Sequence, residues 1–197
     1  MKPGYRFYRV CYRLARFAIG IFYRIVILGA ENIPEGAAMI CANHSSNIDP
    51  FLVVFAFGID NPLHIIAKAE LFRIPVISPI LKKLGMIRVD RDTLDAAAIK
   101  SSLGFLKARE KVVIFPEGTR VFSDGGSPVK IGAVKLAHHA NVPIVPVYIP
   151  RKKPVPRKVT ITIGKPYSID GAGKKLSPDE YATLTGEMMD KIRTLGQ

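Results

Sequence analysis

The sequence has few of the residues and patterns that would assign it to a class directly. Its 197 residues include only 2 cysteines, Cys11 and Cys41, which do not stand in a metal-ligand spacing. We therefore expect neither a disulfide framework nor a zinc site, and a reducing cytoplasm is the simplest setting. The chain also lacks internal repeats, low-complexity tracts and a dividing linker. A chain of this length without such features is expected to form one domain with a substantial core.

Acidic residues are scarce, with 16 against 29 lysines and arginines, so the formal net charge is +13. This excess predicts an anionic partner, which could be nucleic acid, an acidic lipid surface or a phosphorylated substrate. Composition cannot choose among these three, but no recognised nucleic-acid motif accompanies the charge, so no nucleic acid is expected as a partner.

No apolar run near the amino terminus is long enough to cross a bilayer. The longest uncharged stretch of residues 1–30 is 17–23, far below the roughly 20 residues that a transmembrane helix needs. These 30 residues contain six basic residues and no acidic one, and arginines and apolar side chains fall on different helical faces. We predict an amphipathic helical arm, one helix or two bent near Gly20, at the interface of an anionic membrane. The alternative is a terminal helix packed on the core.

Beyond this arm, residues 31–197 alternate short apolar strands with helical patterns. This alternation predicts an α/β domain with a mixed sheet and helices on both faces. The predicted strands are residues 37–42, 63–67, 85–91 with the turn that opens it, 112–115, 142–148 and 159–163. The predicted helices are residues 50–57, 74–81, 93–110, 130–140 and 178–195.

His44 and Asp49 are the first candidate site residues. His44 follows the predicted strand 37–42, and Asp49-Pro50 has the composition of a helix start. Within one helix, a spacing of five would turn the two side chains about 140° apart. Across a strand-to-helix corner, however, the carboxylate can fold back onto the imidazole and orient a catalytic base. The alternative is that Asp49 only caps the helix while His44 is a hydrogen-bonded turn residue.

Further polar residues follow other predicted strands, where the sites of α/β sheets gather. Lys68, Arg91 and Arg120 offer cations for a phosphate, Glu117 offers an acceptor, and Gly118 offers an exposed backbone N–H. A surface ion pair is the alternative for each cation. The basic run within residues 151–158 predicts either a site for lipid headgroups or the acyl donor, or a solvated hairpin.

Four short blocks of the sequence resemble, in order, those of the glycerolipid acyltransferases, most closely the bacterial 1-acyl-glycerol-3-phosphate acyltransferases. The blocks are NHSSNIDP at 43–50, GMIRVDR at 85–91, FPEGTR at 115–120 and VPIVPV at 142–147. They span slightly over half of the chain. Any one block is modest evidence, whereas the ordered set is highly specific.

The resemblance implies acyl transfer from a thioester to the free hydroxyl of lysophosphatidic acid. Because an alcohol is a poor nucleophile at neutral pH, a neutral His44 is expected to remove its proton. Asp49 would hold the other ring nitrogen and stabilise the imidazolium. A backbone N–H of the turn Glu117-Gly118-Thr119 is the candidate donor to the oxyanion.

The acceptor's phosphate is expected to bind Arg120 and Arg91, with Lys68 as the third cation. Arginine is favoured because it can form two parallel bonds to phosphate oxygens. The resemblance implies that Glu117 contacts the glycerol region of the acceptor.

The expected partners are lysophosphatidic acid, acyl-CoA or acyl-carrier protein, and an anionic phospholipid surface at the cytoplasmic face of the cell membrane. No metal and no cofactor besides the acyl donor is expected. A covalent acyl-enzyme on Ser45 or Ser46 is disfavoured because no GxSxG elbow surrounds either serine. Two alternatives remain: an acyltransferase for glycerol-3-phosphate or another lysophospholipid, and a non-catalytic basic module that binds lipid or nucleic acid.

Overall fold

The computed structural model describes residues 4–90, 95–122, 129–169 and 175–197. Within these ranges, seven strands form one sheet: β1 (Tyr23–Leu28), β2 (Ala38–Ala42), β3 (Leu63–Lys68), β4 (Ile87–Val89), β5 (Lys111–Ile114), β6 (Ile144–Tyr148) and β7 (Arg157–Ile163). The α-helices are α1 (Gly4–Gly20), α2 (Asp49–Phe57), α3 (Ile77–Lys83), α4 (Ala96–Lys107), α5 (Gly132–Ala140) and α6 (Pro178–Thr194), and short 3₁₀ helices occupy Ala30–Asn32 and Ala69–Arg73.

The sheet is mixed, as predicted, with the strand order β1-β7-β6-β2-β5-β3-β4. The five strands from β6 to β4 are mutually parallel. β7 is antiparallel to β6, and β1 is parallel to β7. The carboxyl ends of β2, β5, β3 and β4 therefore share one edge of the sheet, which is where the polar corners of the sequence were predicted to meet.

Helices cover both faces of the sheet, which confirms the predicted fold class. All five residues of β2 are buried, and its alternate side chains enter two different cores. Ala38, Ile40 and Ala42 pack with the apolar residues of α2. Met39 and Cys41 pack with residues of α4, α5 and α6. Because both faces are covered, the strand reads as a continuous apolar run.

The predicted helical arm is helical only as far as Gly20. Residues 23–28 are instead the edge strand β1, which pairs in parallel with β7 along its whole length. The β-branched run 25–27 favours a strand, and the hydrogen bonds that the edge of β7 offers decide the outcome. α1 packs on α2, with the Tyr12 ring edge-on to Phe55 at 5.4 Å between centroids. None of the helices in the described ranges has the length and apolarity needed to cross a bilayer.

Candidate active site

Strand register brings the predicted polar corners to one edge of the sheet. Cys41 of β2 pairs with Ile114 of β5, so three residues further on His44 is level with Glu117. Ile65 of β3 pairs with Val113, so Lys68 lies level with residue 116. Because neighbouring strands are about 4.8 Å apart, Lys68 lies roughly 10 Å from the His44 position along the edge.

The structure confirms the predicted geometry of the first corner. His44 Nδ1 lies 3.0 Å from Asp49 Oδ2, and the same oxygen accepts the backbone N–H groups of Ser45 and Ser46 at 2.6 and 2.7 Å. Asp49 is the first residue of α2, followed by Pro50. The same carboxylate thus closes the turn and orients the imidazole ring of His44. Because Nδ1 faces a carboxylate, it carries a proton in the neutral ring, and Nε2 is the nitrogen that can act as a base.

Asp49 is fully buried yet held in its ionised form. Burial alone raises the pKa of a carboxyl group, but hydrogen bonds from His44, from Lys153 and from the Ser45 backbone outweigh burial and lower the pKa of Asp49 below its ordinary 3.8. The imidazole is packed in turn, because the His44 ring stacks on Phe115 at 4.4 Å between centroids. The Asp49 carboxylate is therefore charged and the imidazole ring is packed in place, an arrangement that can orient a base.

Glu117 lies beside His44, but its carboxylate is engaged by the protein. Its Oε2 accepts the backbone N–H of His44 at 2.7 Å, and its Oε1 lies 2.5 Å from Arg151 Nη2. The Glu117 side chain is only 4% exposed. In the structure this carboxylate holds the backbone of His44, whereas the contact with the acceptor's glycerol region stays a prediction.

The turn after β5 differs from its prediction in one respect. The N–H of Gly118 donates to the carbonyl of Phe115 at 3.0 Å and closes the turn, so it is not the exposed donor that the sequence suggested. Gly118 has a φ of +67°, and a Cβ there would lie 3.1 Å from Lys130 Cε, which explains the glycine. Thr119 is exposed, and its N–H bonds to no residue that the structure describes. The Thr119 N–H is therefore the better candidate for the oxyanion donor.

The three predicted phosphate cations differ in how the structure places them. Arg120 is exposed and directly precedes Val121, whose N–H donates to the carbonyl of His44 at 2.8 Å, so it belongs to this corner. Lys68 is at the same edge, half exposed and paired with Glu70 at 2.8 Å. Arg91 lies outside the described residues. The residues described contain no cluster of three or more His, Cys, Asp or Glu side chains that could hold a metal ion.

The sequence did not show that the loop after β6, residues 149–156 and called here the basic loop, lies against the residues around His44. Asn43 exchanges two hydrogen bonds with the backbone of Ile149, at 2.7 and 2.8 Å. Lys153 Nζ lies 2.9 Å from Asp49 Oδ1 and donates to Ser45 Oγ at 2.7 Å. The basic run was visible in the sequence, but it is about a hundred residues from His44. The signal that could have placed it is that β6 neighbours β2 in a parallel sheet.

Comparison with known proteins shows the family of the chain. The family model described as Acyltransferase matches residues 24–150. A probable 1-acyl-sn-glycerol-3-phosphate acyltransferase of Mycoplasma pneumoniae is 38% identical over 153 residues, which are 75% of this chain and 57% of that protein. A 1-acyl-sn-glycerol-3-phosphate acyltransferase of Bacillus subtilis is 28% identical over 195 residues, covering 95% of this chain and 96% of its own.

A solved structure also resembles the chain over most of its length. The crystal structure of the 1-acyl-sn-glycerophosphate acyltransferase of Thermotoga maritima superposes with a TM-score of 0.72 and 25% identity, covering 96% of this chain and 78% of that one. The chain spans little more than half the length of several of the curated relatives it matches, 57%, 56% and 55% for three of them.

Proposed function

The chain belongs to the acyltransferase family, and we propose that it transfers an acyl group to the sn-2 hydroxyl of 1-acyl-sn-glycerol-3-phosphate, giving phosphatidic acid. The observation that carries this proposal is the buried pair of His44 and Asp49 at a sheet edge, with Nδ1 and Oδ2 3.0 Å apart. The names of the bacterial relatives support the choice of acceptor.

The proposed reaction is a direct transfer with His44 as general base. Nε2 takes the proton of the acceptor's hydroxyl as its oxygen attacks the thioester carbonyl, and the imidazolium is stabilised by Asp49. The tetrahedral intermediate carries its negative charge on the former carbonyl oxygen, within reach of the Thr119 N–H in this proposal. Collapse breaks the carbon–sulfur bond, and the leaving thiolate takes the proton back from His44. The products are the new ester and a free thiol.

Charge and exposure at the edge of the site support a phosphorylated acceptor. Arg120 adjoins the residue that contacts His44 and is exposed, so it is the first candidate for the phosphate. Lys68 would have to exchange its exposed Glu70 partner for the phosphate, which costs little because such surface pairs are weak. Arg91 follows β4, whose Val89 pairs with Lys68, and it stays a candidate by position in the sequence.

The outer surface of α1 supports an anionic membrane as partner. Val10, Leu14 and Phe17 of α1, with Ile21 directly after the helix, follow helical spacing, and each is at least half exposed. Beside them, a groove of about 600 Å³ is lined by Arg16, Arg24, Arg157 and Lys158, among other residues. An exposed apolar stripe with cations next to it is the composition of a helix that lies in a lipid interface. We propose peripheral or monotopic association with the cytoplasmic face of the membrane.

The test is an assay of the whole chain in mixed micelles with labelled lysophosphatidic acid and each thioester donor in turn. We expect labelled phosphatidic acid from at least one donor, and a loss of about a thousandfold or more in His44→Ala. His139→Ala is the matched control, because His139 is exposed on α5. Circular dichroism establishes that both variants are folded.

Parallel reactions with glycerol-3-phosphate and other lysophospholipids decide the acceptor. Unchanged turnover in His44→Ala would remove the mechanism. Failure of the unmodified chain to consume either thioester, together with salt-sensitive binding of DNA or lipid, would favour a non-catalytic basic module instead.

A further inference from the structure

Both carboxylates that hold His44 are paired with cations from the basic loop. Asp49 lies 2.9 Å from Lys153 Nζ, and Glu117 lies 2.5 Å from Arg151 Nη2. The two cationic side chains are only 4% and 8% exposed, unlike Lys152 between them, which is exposed. The loop therefore directs alternate cations inward, one to each side of the imidazole.

Lys153 is bonded in a way that restrains Asp49. Its Nζ lies 2.9 Å from Asp49 Oδ1 and 2.7 Å from Ser45 Oγ, and the Ser45 hydroxyl donates in turn to the carbonyl of Arg151 at 3.1 Å. With Oδ1 held by Lys153, the other oxygen of Asp49 faces His44 Nδ1. The lysine thus fixes the direction of the carboxylate that fixes the direction of the imidazole.

The charges around His44 balance before it takes up a proton. Asp49 of α2 and Glu117 of the loop after β5 are negative, while Lys153 and Arg151 of the basic loop are positive, and Phe115 covers one face of the ring without charge. A buried carboxylate without Lys153 would attract a proton onto the imidazole more strongly. A protonated imidazole cannot act as the base, so this balance bears directly on the rate at neutral pH.

We propose that Lys153 is a positioning residue, which aligns Asp49 with His44 and offsets the carboxylate's charge so that His44 stays neutral and ready to accept a proton at neutral pH. This inference rests on the proposed function, since it assigns a role to Lys153 within that reaction. Lysine suits the position because its ammonium group is a compact charge with three donors, which can serve a carboxylate and a hydroxyl together.

The first test compares pH–rate profiles of the whole chain. Lys153→Gln keeps hydrogen-bonding capacity but removes the charge, whereas Lys153→Arg keeps the charge. In Lys153→Gln we expect the acidic limb of the kcat/KM profile to move to higher pH by about one unit, so that the rate falls about threefold at pH 7 and about tenfold on the acidic limb itself. The Lys153→Arg profile should keep its acidic limb near that of the unmodified chain. Lys107→Gln, at an exposed lysine of α4, is the control and should leave the whole profile unchanged.

A purely structural role would give a different result, namely a uniform loss of rate with the acidic limb in place. That outcome, or a Lys153→Gln profile like that of the unmodified chain, would overturn the inference while leaving the proposed function intact. If the unmodified chain transfers no acyl group, both fail.

A second measurement needs no substitution. Brief acetylation of the folded chain, read residue by residue by mass spectrometry, should modify Lys152 at least tenfold faster than Lys153, because an ammonium group in a buried ion pair is shielded from the reagent. Equal rates at the two lysines would show that the pair with Asp49 does not form in solution and would overturn the inference.

Discussion

At the scale of single residues, Asp49 carries most of the local organisation of the candidate site. One of its oxygens accepts hydrogen bonds from His44 Nδ1 and from two backbone N–H groups, and the other forms an ion pair with Lys153. Charge-assisted bonds of this kind are about twice as strong as neutral ones. The same side chain therefore shapes the turn before α2 and holds the proposed base, which is why its removal should affect both stability and rate.

Asp49→Asn should lower the free energy of unfolding at pH 7 by about 3–5 kcal/mol, because the substitution leaves the buried Lys153 without its counter-charge. The pKa of Asp49 is lowered in the folded chain, so its stabilisation is complete above its ordinary pKa of 3.8 and is lost as the pH falls through the folded value. The difference between Asp49→Asn and the unmodified chain should therefore shrink below about pH 4. Urea unfolding between pH 2 and pH 7 would measure it.

The control for this series is Asp190→Asn. Asp190 forms a surface pair with Arg193 and is 72% exposed, so its removal should change the free energy of unfolding by less than about 1 kcal/mol. A constant difference between Asp49→Asn and the unmodified chain across the whole pH range would show that the ionised carboxylate is not the stabilising group.

At the scale of secondary-structure elements, α1 and β1 have different roles in the amino-terminal segment. β1 anchors the segment by six paired residues along β7, while α1 packs on α2 by one side and leaves its apolar stripe exposed. β1 is the edge strand of the sheet, so it forms ladder hydrogen bonds with β7 on one side only. The helix is consequently held in place without its outward face being covered by the described part of the chain.

The double variant Leu14→Gln/Phe17→Gln should reduce binding to anionic vesicles by at least tenfold, since each side chain forfeits about 1.5–3 kcal/mol of burial in lipid. Both residues are exposed, at 66% and 75%, so the fold should be unaffected. Sedimentation with vesicles measures the bound fraction. Ile99→Gln, a partly exposed position on α4 over the opposite core, is the control and should bind normally. Equal binding by both variants would mean that α1 is not the lipid contact.

At the scale of the whole molecule, the 29 basic residues, which outnumber the 16 acidic ones, have two different roles. Lys153 and Arg151 are buried and neutralised by Asp49 and Glu117, so they add nothing to the surface field. The groove lined by Arg16, Arg24, Arg157 and Lys158 includes no acidic residue in its lining. The surface charge should therefore steer the protein to anionic lipid rather than stabilise the fold.

Salt should weaken this association. Raising the ionic strength from about 0.1 M to about 1 M shortens the Debye length from roughly 10 Å to 3 Å, so binding to anionic vesicles should fall several-fold while the thermal midpoint changes little. Vesicles of zwitterionic lipid provide the comparison, and binding to them should depend weakly on salt. Salt-independent binding to anionic vesicles would assign the affinity to apolar contact alone.

Much of the architecture was predictable from local pattern. The apolar runs that became β2, β5 and β6 are continuous because both of their faces are covered, and the corner between β2 and α2 was marked by its histidine, carboxylate and proline. The misassigned residues 23–28 show the limit of this approach, since an amphipathic segment next to a helix becomes a strand only when another strand is there to pair with it.

The sequence by itself determined a short strand-to-helix turn at the end of β2 that carries an imidazole and a carboxylate, because the apolar strand and the Asp49-Pro50 helix start are local patterns. The structure showed that these two side chains meet. Only the tertiary structure decided which cations form ion pairs with the buried carboxylates around His44. Lys153 and Arg151 reach the site because β6 lies beside β2 in the sheet, and such pairing between distant segments depends on the packing of the whole sheet. The same packing places the Glu117 carboxylate against Arg151 and the backbone N–H of His44. A buried carboxylate is stable only with such partners.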